Sequence, residues 1–136
     1  MTWEPRPLPN VTPDTERFWA AAADGDLLLS ECTDCGLVFH YPRPVCPDCF
    51  GGSVEWTESG GEGEIYSFAV GYSLAGYPDD ALPAVVAYVE LDEGPRVLTN
   101  VHADPDAVAI GDRVAATFVD TEEPDVAIPV FEPVEG

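Results

Sequence analysis

The sequence predicts a mainly β protein in which an N-terminal helix and a small metal-binding ribbon precede a five-stranded barrel. Two observations support this fold class. Two Cys-x-x-Cys pairs, separated by ten residues, lie between positions 32 and 49, and the chain has no other cysteine. Beyond the glycines Gly60, Gly61 and Gly63, apolar residues recur at every second position, as they do in half-buried strands. We therefore divide the chain into an arm, helix and ribbon at 1–59 and a barrel at 60–136.

The N-terminal residues predict an arm followed by one helix. Prolines recur between Met1 and Val11 and favour an extended arm. Thr12 is placed as the N-cap and Pro13 as the first helical residue, because this order suits the unpaired amides of a helix start. We expect the helix to end at Gly25. Its apolar stripe consists of Phe18, Trp19, Ala22 and Ala23.

The cysteine spacing predicts a tetrahedral metal site with four sulfur ligands, namely Cys32, Cys35, Cys46 and Cys49. Each Cys-x-x-Cys pair can fold into a knuckle that points two thiolates at one ion, as in rubredoxin-like zinc ribbons. We expect zinc in a structural role, because four thiolates leave no open coordination position. Iron is the alternative metal, since it fits the same four sulfurs. The strands around the knuckles are predicted at 27–31, 38–41 and 54–57.

Three further expectations concern the ribbon. Gly36 follows the first knuckle, where a positive φ is usual, whereas the glycine after the second knuckle is displaced to Gly51, so that turn is expected to be irregular. Disulfides are the alternative to a metal, but the N-terminus carries no apolar leader that would indicate an oxidising compartment. His40 and His102 are expected to be surface or ribbon residues, because the thiolates already complete the metal shell.

Five strands are predicted in the second half, at 65–73, 84–91, 96–103, 112–120 and 126–131. Glu93, Gly94 and Pro95 form a tight link between the second and third of them. A short helical turn from Asp104 to Gly111 lies between the third and fourth, with Asp104 as its cap, a proline after it and a glycine at its end. This order of elements is that of an OB-fold barrel, although an SH3-like barrel would share most of it.

The first predicted barrel strand has two unlike faces. One face is bulky and resembles a barrel core; it consists of Tyr66, Phe68, Val70 and Tyr72. The other face is small and consists of Ser67, Ala69, Gly71 and Ser73. Small side chains let another group approach the backbone closely. That group is a neighbouring loop of this chain, a pantetheine arm or a partner surface.

The charge of the chain is extreme. The chain has 26 acidic residues, five arginines and no lysine, which gives a net charge of -21 on 136 residues. Such a charge weakens a compact state by self-repulsion, and about 1 M salt, with a Debye length of about 3 Å, relieves it. The acids are dispersed along the chain, so we expect a cytoplasm adapted to high salt. No apolar run approaches the ~20 residues that span a membrane, so we expect a soluble cytoplasmic protein.

Short motifs from about Thr12 to Pro133 carry a family resemblance. In the first half they are Phe18-Trp19, Gly25-Asp26-Leu27, Cys32-x-x-Cys35-Gly36, Tyr41-Pro42-Arg43 and Cys46-Pro47-x-Cys49. In the second half they are Gly63-x-Ile65-Tyr66-Ser67-Phe68, the segment 83–94, and Ile110-Gly111-Asp112-x-Val114. In this order they resemble the acyl-CoA-associated zinc-ribbon and OB-fold family long catalogued as domain of unknown function thirty-five.

The resemblance implies an accessory subunit that binds a thiolase-like enzyme. Some members are similar to the subunit that bridges acetoacetyl-CoA thiolase and hydroxymethylglutaryl-CoA synthase in mevalonate and isoprenoid synthesis, and others join aldolases or hydratases that act on acyl-CoA. The resemblance places the docking surface on the ribbon and the N-terminal helix. From the residues, the surface available for docking includes the helix with Phe18 and Trp19, the ribbon tip at 39–43 and the loop at 74–82. The alternative for Phe18 or Trp19 is a place in the chain's own core. The candidate contacts to acyl-CoA or to the partner are Phe39, Tyr41, Arg43, Tyr77 and Arg96.

The residues themselves indicate a protein that is not a self-contained enzyme. Its cysteines are committed to metal, and no Gly-x-Ser-x-Gly or phosphate-binding loop occurs. Asp79 and Asp80 lie in a proline-flanked loop, which is typical of a solvated tip. The alternative function is a module that binds single-stranded nucleic acid. Such a site combines a cationic groove with stacking aromatics, and five scattered arginines and high salt disfavour it.

We expect the melting temperature to rise steeply with salt. The Debye screening length shortens from about 10 Å at 0.1 M salt to about 3 Å at 1 M salt, so carboxylate repulsion within the fold decreases. Calorimetry of the metal-loaded chain at both KCl concentrations tests this expectation. The double substitution of Asp79 and Asp80 by asparagine should raise the melting temperature more at 0.1 M than at 1 M. Equal melting temperatures for the wild-type chain at both concentrations would contradict adaptation to high salt.

Overall fold

The computed structural model describes residues 3–134, so the outermost residues of the two predicted domains, 1–2 and 135–136, lie outside it. The described elements, in chain order, are α1 (Glu16–Ala23), β1 (Leu28–Cys32), β2 (Val38–Phe39), β3 (Val54–Glu58), β4 (Glu62–Gly71), β5 (Ala84–Leu91), β6 (Arg96–Val101), β7 (Arg113–Asp120) and β8 (Ala127–Pro133). Among the described residues, no helix has the length and apolar character needed to cross a membrane.

The ribbon is a three-stranded antiparallel sheet with the order β2-β1-β3. Its central strand β1 pairs with both neighbours, and Ser30 lies opposite Phe39 on one side and Trp56 on the other. The three predicted ribbon strands are therefore present. β2 is shorter than predicted, because it ends at Phe39 and the chain then leaves the sheet toward the second pair of cysteines.

The second half is a closed barrel with the order β4-β5-β6-β8-β7, and β7 returns to pair with β4. All neighbours are antiparallel except β6 and β8, which pair in parallel at Val101 and Phe131. A meander of three strands whose third pairs in parallel with the fifth is the order of an OB-fold. The predicted mainly β fold with an OB-fold barrel is confirmed, and the SH3-like alternative is wrong.

Strand β4 begins three residues earlier than predicted because its first residues pair on both sides. Gly63 lies opposite Leu91 of β5 and Val114 of β7. A β-carbon at Gly63 would collide with the carbonyl oxygen of Glu90. This glycine therefore permits a close approach of two strands. Gly63 is part of the barrel strand β4 and not of a flexible hinge between the ribbon and the barrel.

A β-bulge in β4 changes the predicted faces of this strand. The register with β5 shifts between Ile65 and Ser67, so Tyr66 has no direct partner. Ile65 is fully buried, whereas the Tyr66 side chain is 47% exposed. Tyr66 and Phe68 therefore do not share one core face: Tyr66 follows the buried Ile65 and is exposed, whereas Phe68, after the bulge, packs against the core. Alternation in the sequence does not reveal where such a residue is inserted.

The helix, the ribbon and the barrel share one apolar cluster. Phe18 of α1 and Leu27 and Leu29 of the ribbon segment are buried together with barrel residues. The barrel contributes Ile65, Val85, Ala87, Val89, Leu91, Val97, Val101, Val108, Val114 and Phe131. Trp19 and Trp56 pack against this cluster at its edge. Of the two alternatives for Phe18, the structure shows the place in the chain's own core, because its side chain is 4% exposed, and Trp19 is partly buried.

The connection between ribbon and barrel is held in place by hydrogen bonds. The Ser59 hydroxyl donates to Glu93 Oε1 at 2.9 Å, and the Gly60 N–H donates to Glu93 Oε2 at 2.8 Å. The Gly61 carbonyl accepts from the Ala116 N–H at 2.7 Å. These bonds tie the glycine-rich connection to the β5–β6 turn and to β7. It is a fixed connection between the two sheets.

The helix begins later than predicted. Its first residue is Glu16, and its N-cap is Thr15, whose side chain makes no capping bond. The Thr12 carbonyl accepts the N–H groups of Thr15 and Glu16, so a turn forms at Thr12 and precedes the helix. The second predicted cap is confirmed, since Asp104 accepts from the Asp106 N–H. The segment after Asp104 contains only one 3₁₀ turn, and this turn is shorter than the helical turn that was predicted.

The described part of the N-terminal arm contains a turn and packs on the barrel. Trp3 is 5% exposed, and its backbone N–H donates to the Asp120 carbonyl at 2.8 Å. Its indole N–H donates to the Pro7 carbonyl at 2.7 Å. The expectation of a simple extended arm is wrong over these residues. Proline content predicts local stiffness but not the tryptophan that anchors the segment.

We expect Gly63→Ala to destabilise the protein by about 2–3 kcal/mol, because the new β-carbon forces β4 away from β5. Gly60→Ala is the matched control, since a β-carbon there has only an ordinary contact at 3.7 Å to Glu93 Oε2. Surface changes of that kind usually stay within about 0.5 kcal/mol. Urea unfolding of both metal-loaded variants at one fixed salt concentration measures the difference. A Gly63→Ala variant as stable as the control would contradict the close strand approach.

Candidate metal centre

Two loops bring the four cysteines together. Cys32 ends β1 and Cys35 follows in the turn to β2, while Cys46 and Cys49 lie in the loop between β2 and β3. All four sulfur atoms lie within 4.8 Å of one another. The shortest sulfur–sulfur distances are 3.6 Å, far above the roughly 2.05 Å of a disulfide, and the thiols are free. The arrangement is that of a four-sulfur metal site, and the disulfide alternative is wrong.

The two knuckles have the same backbone geometry. In the first, the Gly36 N–H donates to the Cys32 carbonyl at 2.8 Å, and Gly36 has a φ of +82°. In the second, the Phe50 N–H donates to the Cys46 carbonyl at 3.0 Å, and Phe50 has a φ of +62°. The prediction of an irregular second turn is wrong. Phe50 instead adopts the left-handed conformation, which costs a residue with a β-carbon about 1 kcal/mol.

The displaced glycine of the second knuckle has a different purpose. A β-carbon at Gly51 would lie 2.8 Å from Asp34 Oδ2 and 3.3 Å from Cys49 Sγ. The Gly51 carbonyl also accepts the Cys46 N–H at 3.0 Å. Gly51 therefore leaves room for the exposed Asp34 carboxylate and for Cys49 Sγ, and it does not adopt a positive φ. Because the glycine stands one residue later, the position directly after Cys49, which has the left-handed conformation, is occupied by Phe50.

The electrostatics of the four thiols fit a bound cation. The N–H groups of Cys49 and Asp48 point at the Cys46 sulfur and lower the pKa of this thiol to about 7. At Cys35 the Leu37 N–H lowers the pKa, but burial and the three other thiols outweigh it and raise the pKa to about 12. All four groups become thiolates together only when a cation lies among them. Four thiolates are the donor set that Zn²⁺ or iron takes in tetrahedral sites.

His40 is a ribbon residue, as expected, but it is largely buried instead of lying at the surface. Its ring centroid lies 5.4 Å from that of Phe18 and 5.1 Å from that of Tyr41. Burial lowers the pKa of His40 to about 4, so the imidazole is neutral at neutral pH. Among the described residues, its Nδ1 atom has no hydrogen-bond partner. The side chain packs the ribbon against the helix and does not belong to the sulfur cluster.

Three of the candidate contacts lie in the ribbon, in unlike environments. Phe39 is 6% exposed, and it lines the same open groove as Arg96, another of the candidate contacts. Tyr41 is 42% exposed. Arg43 is exposed and lines a groove of about 220 Å³ together with Ser30 and Trp56. Phe39 points inward because alternate residues of a strand face opposite sides of the sheet.

Arg96 is engaged within the chain. Its Nε donates to Glu90 Oε2 at 3.0 Å, and its guanidinium lies 3.7 Å above the ring of Tyr66. Arg96 also lines an open groove of about 500 Å³ between the ribbon segment 36–40 and the β5–β6 turn at 93–96. Arg96 therefore lies across this groove from the ribbon segment. Arg43 lines a different groove, so the two arginines do not form one site.

Tyr77 lies in a third region, beneath the N-terminal arm. Its hydroxyl lies 3.4 Å from Asn100 Oδ1, and its ring meets that of Trp3 edge-on at 6.2 Å. A β-carbon at the preceding Gly76 would contact Pro7. The predicted docking loop at 74–82 is therefore partly covered by the arm, while Asp79 and Asp80 remain exposed as predicted.

The small face of β4 is closed by the chain itself at one position. A β-carbon at Gly71 would lie 2.9 Å from the Leu74 side chain. A neighbouring loop therefore makes the close approach there, which was one of the three alternatives. The approaching side chain comes from three residues further along the chain. It fills the space that a ligand would need at this point.

Sequence reasoning missed two features of the surface. The Arg6 guanidinium lies 3.9 Å above the ring of Trp3 and also donates to the Trp3 carbonyl, so the arm forms a cation–π turn. Phe50 is the most exposed of the large apolar side chains among residues 3–134, at 78%. The signal for Phe50 was present in the sequence. Phenylalanine stands after the second Cys-x-x-Cys where glycine stands after the first.

Two domain families match consecutive parts of the chain. The rubredoxin-like zinc ribbon domain of ChsH2 matches residues 19–55. The C-terminal OB-fold domain of ChsH2 matches residues 56–119. Together they span residues 19–119, which include the second part of the helix, both knuckles and most of the barrel.

Several known proteins are similar over most of this chain. A DUF35 domain-containing scaffold protein of Methanothermobacter thermautotrophicus is 41% identical over 77% of this chain and 81% of its own length. A probable enoyl-CoA hydratase alpha subunit of Thermomonospora curvata is 37% identical over 94% of this chain, which spans only 40% of that relative. The solved structure named Ltp2-ChsH2(DUF35) aldolase superposes with a TM-score of 0.81 at 33% identity, over 93% of this chain and 98% of that one.

We expect one metal ion per chain and a loss of that ion in Cys32→Ser. Structural zinc contributes roughly 10–16 kcal/mol of apparent binding free energy in small modules, so the variant should melt far below the wild-type chain. Elemental analysis and calorimetry measure both effects. Asp48→Asn is the matched control, because it keeps the N–H that faces Cys46 and changes only an exposed side chain. A folded wild-type chain that contains no metal would refute the site.

Proposed function

The chain belongs to the DUF35 family, in which a rubredoxin-like zinc ribbon precedes an OB-fold domain, and we propose that it is a non-catalytic accessory subunit of an acyl-CoA enzyme. The observation that carries this proposal is the similarity to nearly the whole ChsH2(DUF35) chain of a solved aldolase. Relatives named scaffold proteins support the same role. The hydratase alpha subunits that match are longer, and this chain spans 40% of their length.

The chemistry of the described residues supports a role without catalysis by this chain. Four thiolates close the metal shell and leave no position for a substrate or for water. Within residues 3–134, neither histidine side chain hydrogen-bonds a serine, threonine or carboxylate, so neither is arranged to activate a nucleophile. His40 is buried among aromatic rings, and desolvation lowers the pKa of His102. The reacting groups would come from the partner enzyme.

The specific partner that we propose is a thiolase-like enzyme. Thiolase together with hydroxymethylglutaryl-CoA synthase, at the start of mevalonate synthesis, is the pair that the family resemblance favours. In this role the chain holds the enzyme and assists the handling of acyl-CoA or the transfer of the intermediate. Arg43, Tyr41, Arg96 and Tyr77 remain candidate contacts to the partner or to acyl-CoA. They lie in three separate regions, which suits an extended partner surface better than one small ligand.

The metal that we propose for the ribbon is zinc. Its role is to fix the two knuckles, and through them the surface that the ribbon offers to a partner. Iron is the alternative for the same four sulfurs, and the absorption spectrum of the purified chain distinguishes the two. A colourless protein with one equivalent of zinc is the expected result.

Binding of single-stranded nucleic acid is the rival function, and the charge distribution opposes it. Arg96 is paired with Glu90 and Arg113 with Asp92, so two of the five cations are already neutralised within the chain. The three others lie in the arm, the helix and the ribbon loop. They cannot form the continuous cationic groove that tracks a phosphate backbone.

We expect this chain and a thiolase-like enzyme, co-expressed in the source cell, to elute as one complex in size-exclusion chromatography at 1–2 M KCl. The isolated chain should show no turnover of thioesters. Metal-stripped chain should lose the partner while β-sheet circular dichroism persists in part. A chain that elutes separately from every thiolase-like enzyme at micromolar concentration would contradict the accessory role. Salt-sensitive binding to oligonucleotides by the same preparation would instead favour the rival function.

A further inference from the structure

Phe50 is unusual both in the exposure of its side chain and in its backbone conformation. Its side chain is 78% exposed, so most of its apolar surface faces water. Its backbone has a φ of +62°, in the left-handed region that favours glycine. No aromatic ring among the described residues pairs with it. Within this chain, the side chain weakens the knuckle and gains little packing in return.

The first knuckle provides an internal comparison. Gly36 occupies the same position after its Cys-x-x-Cys pair, makes the same hydrogen bond and has a φ of +82°. A β-carbon at Gly36 would meet nothing within 4 Å, and the φ alone explains the glycine. The same physical requirement exists at position 50, yet phenylalanine stands there. Local rules that are broken without compensation inside the fold mark functional positions.

We propose that Phe50 is the anchor with which the ribbon docks into an apolar pocket of the acyl-CoA enzyme, an inference that rests on the proposed function. Aromatic side chains in well-packed pockets carry a large share of interface affinity. The knuckle holds the backbone of Phe50 by the bond to Cys46, and its neighbour Cys49 is a metal ligand. A rigid backbone presents the ring with little loss of conformational entropy on binding.

The surroundings of Phe50 define the chemistry of the pocket. Asp34 and Asp48 are exposed on the two knuckles beside it, so the rim of the complementary pocket should carry arginine or lysine. Val45, which directly precedes the second knuckle, is 44% exposed and extends the apolar surface. A second copy of this chain is not the occupant. Two copies, each with a net charge of -21, would oppose acid to acid at this face.

The test separates affinity from folding. Phe50→Gly relieves the left-handed strain, so the variant should keep its metal and melt within about 3 °C of the wild-type chain. Its dissociation constant for the partner enzyme, identified from the wild-type complex and purified separately, should rise at least about ten-fold. Phe50→Met should lose less, because methionine still fills an apolar pocket. Tyr72→Ser is the matched control, since Tyr72 is 75% exposed on the barrel side and should not affect binding.

A second measurement locates the pocket. Benzoylphenylalanine in place of Phe50 should crosslink under light to an apolar segment of the partner flanked by basic residues, whereas the same probe at Tyr72 should not. If Phe50→Gly binds as tightly as the wild-type chain, the anchor is refuted while the accessory role stands. If Phe50→Gly loses metal or unfolds, the side chain is structural and the proposal fails. If it changes the self-association of the isolated chain, the pocket belongs to a second copy. If the wild-type chain binds no thiolase-like enzyme, both proposals fail together.

Discussion

The convergence of four sulfur atoms is the constraint on which the rest of the N-terminal half depends. Four thiolates within 4.8 Å would repel one another, and burial, together with hydrogen bonds to the three other thiols, raises the pKa of Cys35. A bound cation would replace this repulsion by four metal–sulfur bonds, which would be the strongest interactions in the ribbon. β1 and the loop before β3 are held together there, because each contributes one pair of ligands. The short strand β2 would have little stability without this crosslink.

The ribbon is coupled to the barrel by packing as well as by the chain connection. Leu29 of β1 and Phe18 of α1 are buried in the same apolar cluster as Ile65 and Phe131 of the barrel. Glu93 fixes the connecting residues Ser59 and Gly60 to the β5–β6 turn. Loss of the metal should therefore weaken the barrel at its contact with the ribbon. A partner that binds the ribbon would also be coupled to the barrel through this packing and these hydrogen bonds.

The acidic surface limits what the exposed side chains can do. Pairs such as Arg113 with Asp92 neutralise only a small part of a net charge of -21. Electrostatic attraction to a basic rim can guide a partner, but high salt screens it. Apolar anchors keep their affinity under those conditions. An exposed aromatic residue beside acids therefore offers an apolar contact whose strength does not depend on charge.

The sequence predicts the four-cysteine metal site and the mainly β fold with its barrel. It also predicts most of the strands and the cap at Asp104. These features follow from spacing and periodicity, which are local properties of the chain. The burial of Phe18 and Phe39, and the packing of His40 against Phe18 and Tyr41, are visible only in the folded structure, because they depend on which elements contact each other. The bulge at Tyr66 also needs the folded structure, because the register between β4 and β5 joins residues that lie far apart in the chain. The positive φ of Phe50 depends on a local hydrogen bond to Cys46 and had a signal in the sequence, but the displaced glycine did not show that phenylalanine adopts the conformation of Gly36.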